Sequence, residues 1–370
     1  MGKRQDKGLM IVERNNQIKR IDECNYIVNS QTTEKQYAVI STEYGWSCSC
    51  PDHQFRKAEC KHIHAVEISL SIRKEVREHV IESVNVNCCQ FCESSNFTKW
   101  GIRKNKNYSI QIYKCRNCKK RFSTNIGFEK MGASPEIITS SMQLYFTGES
   151  LRNVQKFLEL QGVKITHKTV WNWIKKYTNL MEKYLEQITP QVSDKWRTDE
   201  LYLKIKGNRK YLYAMMDDET RFWIAKQVSN HKYTQDVRPM FKEARKMANK
   251  KPRTLISDGA HNFHEAFRKE YYTWEKPRTE HIRHIHLKND MNNNKMERLN
   301  GEIRDREKVM RGLKRDDTPI IEGYKIFHNY IRTHEGLNNK TPAEASGIKV
   351  EGSNKWITLI QNAHHSKVNT

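Results

Sequence analysis

Hydrophobic residues change their period three times along the chain, and each change marks a different kind of element. Between residues 20 and 47 apolar and polar positions alternate, with Tyr26 and Val28, then Tyr37 and Val39, on one face. This period of two predicts two or three short strands leading into Trp46. An apolar helical stretch runs from Ala65 and Val66 through Leu70. From residue 134 the period lengthens to that of a helix. Ser134 and Pro135 supply an N-cap and a first-turn proline ahead of Ile137, Ile138, Met142, Leu144 and Tyr145, and Gly148 breaks the run. Ser150 opens a second helix with Leu151, Val154, Phe157 and Leu158 on one face, and Gln161-Gly162 turns the chain. Thr166 caps a third helix, His167 to Lys176, whose Val170, Trp173 and Ile174 face inward; helical residues continue through Met181 to Gln187, and Pro190 ends them.

From Lys195 the pattern turns to strands. Trp196–Asp199 and Leu201–Ile205 form an opening strand region, and Tyr211–Met216 and Phe222–Val228 flank the turn Asp217–Thr220 as a hairpin. A helix from Thr234 to Ala248, a buried strand Thr254–Ser257, a helix over Phe263–Phe267 and a long helix bearing Glu297 follow. The strand delivers Asp258 to its end, where Gly259 frees the backbone to turn. Residues 349–370 carry no clear pattern.

Charge narrows the partner. With 66 Lys+Arg against 43 Asp+Glu the formal net charge is +23, a field that suits a polyanion, above all nucleic acid. No apolar run approaches the ~18 residues of a membrane span, and Met1–Asp6 lacks the apolar core of a secretory signal. The expectation is a soluble, cytoplasmic, nucleoid-associated protein without a membrane partner.

In that compartment the nine cysteines read as metal ligands rather than disulfides. Cys48, Cys50, Cys60 and His62 supply three thiolates and an imidazole, a full tetrahedral zinc shell. His53 and His64 break that pairing. Cys89, Cys92, Cys115 and Cys118 form two C-x-x-C knuckles of a zinc ribbon, with Cys88 able to substitute for Cys89, and Trp100, Tyr108, Ile110 and Ile112 suit its strands. Neither shell has an open position, so both zinc ions are expected to be structural. Arg103, Lys104, Lys106, Lys114, Arg116, Lys119, Lys120 and Arg121, interleaved with Tyr108, Tyr113 and Phe122, mix phosphate clamps with stacking faces. In the helix–turn–helix, His167, Lys168, Thr169, Asn172 and Lys176 are left for the major groove or phosphates.

Three acids, Asp199, Asp258 and Glu297, fall in an order that lets them meet on one sheet. Three strands, a helix, a strand and a helix is the element order of the RNase H-like fold. The first module, roughly residues 20–75, resembles the SWIM zinc finger. Residues 190–350 resemble the catalytic domain of insertion-sequence DDE transposases, relatives of retroviral integrases, and the family numbered six among insertion sequences above all. The resemblance rests on Thr198-Asp199-Glu200, Met216-Asp217, Ser257-Asp258-Gly259, Asn294 to Asn300 around Glu297, Ile331 to Asn338, and Lys340-Thr341-Pro342-Ala343. The last acid spacing exceeds the family's by a few residues, which places an insertion near Lys288–Asn293 and makes Glu302 the alternative third acid.

The expected architecture is a SWIM module at 1–80, a zinc ribbon at 81–127, a helix–turn–helix region at 128–189, an α/β RNase H-like catalytic domain at 190–348 and a tail at 349–370. The resemblance implies a transposase that cuts and joins DNA at element ends. Its acids would hold two Mg²⁺ or Mn²⁺ ions, with Asp199 bridging both and Asp258 and Glu297 each completing one. The partners would be double-stranded terminal inverted repeats and target DNA, handled by a dimer or larger homo-oligomer in a prokaryotic cell. A hydrolytic nuclease of the same fold and a non-catalytic zinc-dependent DNA-binding regulator are the alternatives. Asp217 and Asp218 read as turn formers, and His281, His284 and His286 as phosphate or DNA-positioning contacts. Arg298, Arg304, Arg306, Lys308, Arg311, Lys314 and Arg315 read as contacts to the DNA backbone.

Overall fold

The structure is a computed structural model. It describes residues 3–12, 17–22, 24–31, 35–42, 45–75, 79–84, 88–105, 108–274, 278–283, 294–310, 313 and 318–368. Lys106, His284, His286, Lys288–Asn293, Arg311, Lys314 and Arg315 lie outside the described residues. The chain divides into two compact units, Met1–Glu78 and His79–Thr370.

In the smaller unit, helix α1 (Lys3–Val12) is followed by β1 (Ile18–Arg20), β2 (Asn25–Asn29), β3 (Gln36–Thr42) and β4 (Gly45–Cys48), an antiparallel sheet in sequential order. Helices α2 (Pro51–Arg56) and α3 (Lys61–Glu75) complete it. Tyr26, Val28 and Val39 on the inner face meet Ile63, Ala65 and Val66 of α3 and the three cysteines Cys48, Cys50 and Cys60. The alternation read from the sequence is therefore the core face of this sheet, and α1 adds Ile11 to it.

The larger unit begins with a short strand, β5 (His79–Ile81). A three-stranded antiparallel sheet follows: β6 (Phe97–Lys104), β7 (Ser109–Cys115) and β8 (Arg121–Ser123). Its core is small, Phe122 with Cys89 and Cys115, backed by Phe97 and Tyr113. So little apolar area makes cross-linking by metal a natural source of stability.

The helices α4 (Pro135–Thr147), α5 (Leu151–Leu160) and α6 (His167–Leu185) start where the capping residues place them. The hydroxyl oxygens of Ser134, Ser150 and Thr166 each accept a hydrogen bond from the amide three residues on. Val154, Leu158, Val170, Trp173 and Ile174 are buried between them.

The sheet that carries the acids has the order β11-β10-β9-β12-β13. Strands β9 (Lys195–Ile205), β10 (Asn208–Asp217) and β11 (Trp223–Ser229) form an antiparallel meander. Helix α7 (Thr234–Ala248) crosses to β12 (Thr254–Ser257), which runs parallel to β9; α8 (His261–Glu270) and the parallel edge strand β13 (Glu280–Arg283) follow. This is the RNase H-like arrangement. The opening strand region is one continuous strand with Asp199 in its middle, and β13 is a fifth strand absent from the sequence reading. Buried residues include Leu212–Met216 on β10, Phe222 just before β11 and Trp223–Ala225, which begin it.

Helix α9 (Asn294–Met310) packs on β9, and α10 (Pro319–Ile326) packs on α6. A π-helical turn, Phe327–Ile331, follows α10 directly. In it Asn329 hydrogen-bonds both the N–H and the C=O of Trp223, and so blocks pairing at that point of the sheet's outer strand. Helix α11 (Pro342–Ala345), strand β14 (Ile348–Val350) and helix α12 (Lys355–Val368) close the unit. Of the 349–370 segment, residues 349–368 are thus ordered structure: β14 pairs in parallel with β5, and Trp356, Leu359, Ile360 and Ala363 of α12 join the main core beside α4 and α6.

Candidate active site

Register brings the first two acids together. Thr254 and Ile256 of β12 lie opposite Lys195 and Arg197 of β9. Continued two residues, the parallel pairing sets Asp258 beside Asp199, and the period of two puts both on the face that carries Arg197. Gly259 takes φ +91, a left-handed value that only glycine adopts without strain, so the chain leaves the sheet at once. The Asp258 carboxylate accepts a bond from the Ala260 amide at 3.1 Å, and the Arg283 guanidinium donates to the Gly259 carbonyl at 2.8 Å.

Helix α9 supplies the third acid. Its buried stripe, Met296, Leu299, Asn300, Ile303 and Arg306, faces the sheet, and Glu297 projects beside it from the first turn. The Asn300 side-chain amide, one turn on, donates to Asp199 Oδ2 at 2.8 Å, while the Glu200 amide donates to Oδ1 at 2.8 Å. Asp199 is pushed up to about 7, first by burial and then by the charges of Asp258, Glu200 and Glu297, against the lowering bond from the Glu200 amide. Glu302 stands elsewhere: it pairs with Arg332 and accepts from the Tyr324 hydroxyl at 3.3 Å. The three acids Asp199, Asp258 and Glu297 therefore share one electrostatic site and Glu302 is engaged outside it.

A network of buried charges fixes that helix. Asp218 accepts from Arg197, and Lys295 of α9 donates to its carboxylate at 2.9 Å and to its carbonyl at 2.7 Å, with Lys195 at 3.5 Å. Burial would raise Asp218, but the bonds from Arg197 and Lys295 outweigh it and hold the carboxyl below its ordinary value. Asp217, wholly buried, accepts from the amide and hydroxyl of both Ser193 and Thr220 at 2.6–2.8 Å. Both turn acids are saturated by protein donors, and neither joins the Asp199 centre. Asn300, Asp218 and Lys295 were missed as site residues, although Asn300 and Lys295 lie inside the sequence word around Glu297.

His281 on β13 serves the Asp258 strand. Its Nε2 lies 2.9 Å from the Ser257 hydroxyl and its Nδ1 3.2 Å from His264 Nδ1, and burial, then His264 and Arg283, push it down to about 4. Arg306 corrects the expectation of a backbone contact. The three- and four-residue spacing of Met296, Leu299, Ile303 and Arg306 sets it on the buried stripe, 5% exposed, with its guanidinium 4.8 Å over the Tyr145 ring. Arg298, Arg304 and Lys308 are exposed, Lys308 in an ion pair with Asp305.

The donor set fits a divalent cation. Oxygen ligands alone suit Mg²⁺ or Mn²⁺, and a carboxylate raised by burial and then by the charges of Asp258, Glu200 and Glu297 calls for a cation. Among the described residues these three carboxylates do not close to within 4.8 Å of one another, unlike the two cysteine groups.

Cys48, Cys50, Cys60 and His62 bring their ligand atoms within 4.8 Å of one another, as do Cys89, Cys92, Cys115 and Cys118; Cys88 stays outside. The Cys89–Cys118 and Cys92–Cys115 sulfurs lie 3.6 Å apart, close to the ~3.8 Å that two zinc-bound thiolates at ~2.3 Å would show. His62 Nδ1 stands 3.9 Å from the Cys48 sulfur and 3.8 Å from that of Cys60. Within each group the proton is shared unequally: hydrogen bonding between Cys48 and Cys60 pushes Cys60 down and Cys48 up, and the backbone amides of the Cys115–Cys118 knuckle hold Cys115 down while burial pushes Cys92 up.

Of the helix–turn–helix residues, His167, Lys168, Asn172 and Lys176 are exposed on α6 and Thr169 is half-buried against Thr166. On the ribbon, the exposed Trp100 ring lies under Lys114 and Arg121 at 4.3 and 4.6 Å, and Lys120 lies 4.8 Å over Phe91.

Residues 193–334, which carry all three acids, match the family profile described as a DDE domain, of the IS240 type. Among curated proteins, the transposase for insertion sequence-like element IS431mec of Staphylococcus aureus (strain Mu50) is 30% identical over 129 residues, 34% of this chain and 55% of that protein. The transposase for insertion sequence element IS257 in transposon Tn4003 of Staphylococcus aureus matches to the same extent. The chain thus spans about half the length of the curated relatives it matches. The HTLV-2 integrase catalytic core domain in complex with magnesium covers 43% of this chain and 98% of its own at 16% identity, with a TM-score of 0.30 that carries no residue correspondence. No described helix is long and apolar enough to cross a membrane.

Proposed function

We propose that this protein is a DDE-type DNA transposase that cleaves and joins DNA at the ends of an insertion sequence. The observation that carries the reading is the Asp199 carboxyl, half-buried in β9, hydrogen-bonded by Asn300 and raised to about 7 by burial and by Asp258 and Glu297. Asp199, Asp258 and Glu297 would hold two Mg²⁺ or Mn²⁺ ions. Bound there, the ions would activate an attacking oxygen and stabilise the leaving one in an in-line phosphoryl transfer.

The chain's own residues orient that chemistry. Asn300 and the Glu200 amide fix both oxygens of Asp199. Lys295 ties the first turn of α9 to Asp218 and so sets where Glu297 points. Water as nucleophile would nick an element end, and the freed 3′-hydroxyl would join it to target DNA. No serine, tyrosine or cysteine nucleophile is required. The two cysteine groups would each hold a structural zinc. The ribbon, the exposed face of α6, and Arg298, Arg304 and Lys308 would bind double-stranded terminal repeats. Because two ends must be handled together, the working form would be a homo-oligomer on DNA in the cytoplasm.

The test is a strand-transfer assay with end-sequence duplex, target DNA and Mg²⁺. Joined products that vanish in Asp258→Asn are the expected result. Cleavage without joining would make the protein a nuclease, and joining that survives Asp258→Asn would overturn the assignment.

A further inference from the structure

Beside the acids, on the next face of α9, lies a cavity of about 310 Å³, at the small end of ligand pockets. Met216 and Leu299 give it an apolar wall, and Arg221, Arg298, His328 and His334 give it polar groups. Its other charges are already matched, Lys295 by Asp218 and Glu302 by Arg332. Among the described residues Arg221 and Arg298 form no ion pair, so the cavity keeps two unmatched cations.

The histidines add the opposite character. His328 sits in the π-helical turn, an element often found at functional sites. Its Nε2 lies 3.0 Å from the Arg221 carbonyl, which can only accept, so Nε2 carries the proton of the neutral ring. Burial pushes His328 down to about 4, and burial and His328 push His334 to about 3; both rings are neutral near pH 7. That leaves His328 Nδ1 as a bare acceptor, and among the described residues neither it nor His334 Nε2 has a hydrogen-bond partner. The two rings meet edge to face at 4.9 Å. A phosphate alone would satisfy the arginines but offers the acceptor nothing. A nucleotide offers both, an anion and a base edge bearing an N–H, on an apolar face.

We propose that this cavity takes one unpaired nucleotide of the DNA strand that runs through the acidic centre. Arg221 and Arg298 hold its phosphate, Met216 and Leu299 pack against its base, and the His328 and His334 nitrogens read the base edge. Placement on the helix that carries Glu297 makes it a positioning site for the strand next to the reacting bond. The inference rests on the transposase reading for its substrate class, but its test is independent of catalysis.

The test uses the full chain carrying Asp258→Asn, without divalent metal, and three probes of arbitrary sequence. These are a blunt duplex, the same duplex with a 3′ thymidine extension, and one with an abasic extension. The thymidine extension is expected to bind roughly tenfold tighter than the abasic one, the scale of one well-seated base. His334→Gln, which changes a contact to the base, should reduce that preference to less than about twofold, whereas Arg221→Gln, which removes a contact to the phosphate that both extensions share, should weaken the two extended duplexes about equally; neither should change blunt-duplex affinity. Should His334→Gln fail to fold, Arg221→Gln decides through the extended duplexes. No preference in the parent, a preference that survives His334→Gln, or extended-duplex binding unchanged by Arg221→Gln would overturn the proposal. Failure of strand joining in the intact chain would instead overturn the transposase reading, and leaves this binding result to be scored by itself.

Discussion

Asp199→Asn should make the metal-free protein more stable at alkaline pH, although it removes the residue most central to the proposed chemistry. The Asp199 carboxyl is raised from 3.8 to about 7 in the fold. The sign follows from linkage. Below 3.8 the carboxyl is protonated folded and unfolded, and contributes no pH dependence. Between 3.8 and about 7 the unfolded chain loses its proton while the fold keeps it, so stability falls as pH rises, and above about 7 the loss is complete. At about 1.4 kcal/mol per pKa unit this amounts to ~4 kcal/mol. An asparagine carries no charge and needs no such proton. Its amide also finds a partner, because among the described residues the Asn300 side-chain oxygen is buried without one and a flip of Asn300 turns it toward position 199. Thermal unfolding in a chelator should show the variant above the parent at pH 8, with the gap closing toward pH 4. Mg²⁺ should then stabilise the parent and leave the variant almost unmoved. A variant that is less stable at pH 8, or a parent indifferent to Mg²⁺, would refute the argument that the site is an uncompensated carboxylate cluster.

Metal analysis of the full chain should find about two zinc per chain, and Cys60→Ser and Cys115→Ser should each remove about one, a pattern that one shared site could not give. Asp218→Asn strips the buried Arg197 of its carboxylate partner, and chemical denaturation should show a loss of about 3–5 kcal/mol; a loss under ~1 kcal/mol would mean that Lys195 and Lys295 find other anchors. Gly259→Ala forces a side chain into φ +91 and should cost ~1–2 kcal/mol, with strand joining reduced and DNA affinity intact. Trp100→Ala should weaken DNA binding while leaving the salt slope unchanged, whereas Lys114→Ala should lower the slope by about one phosphate contact.

Local chemistry was the legible part of this chain. Ser134, Ser150 and Thr166 cap their helices because capping is a relation among residues three apart. Helix α7 starts and ends where periodicity places it, Thr234–Ala248. Strand β13 escaped because Glu280-His281-Ile282-Arg283 is short, polar and held only by its parallel neighbour. The α12 stripe of Trp356, Leu359, Ile360 and Ala363 had helical spacing, but no chemistry drew attention to it. At the site, the order of the three acids was readable, while their supports were not. Asn300 reaches Asp199 across 101 positions, and Lys295 reaches Asp218 across 77. Such pairs are products of the fold and leave no periodic trace. Arg306 was misjudged because a basic residue was assigned by charge, when its spacing from Leu299 and Ile303 placed it inside.

The pairing of β5 with β14 has a consequence for dissecting the protein. The larger unit is laced shut by its own extremities: His79–Ile81 lies against Ile348–Val350, and the Trp356 indole donates to Gln143 of α4 at 2.8 Å. Gly323 of α10 sits so close to Phe146 that an added Cβ would stand 2.4 Å from the ring. The stretch that matches the DDE profile, 193–334, includes neither lace and neither α4 nor α6. Excised at those borders, it would bare the faces of α10 and the π-helical turn that those helices cover. The segment that matches the profile is therefore smaller than the body that folds, and a soluble fragment should be cut at 79 and 368 instead.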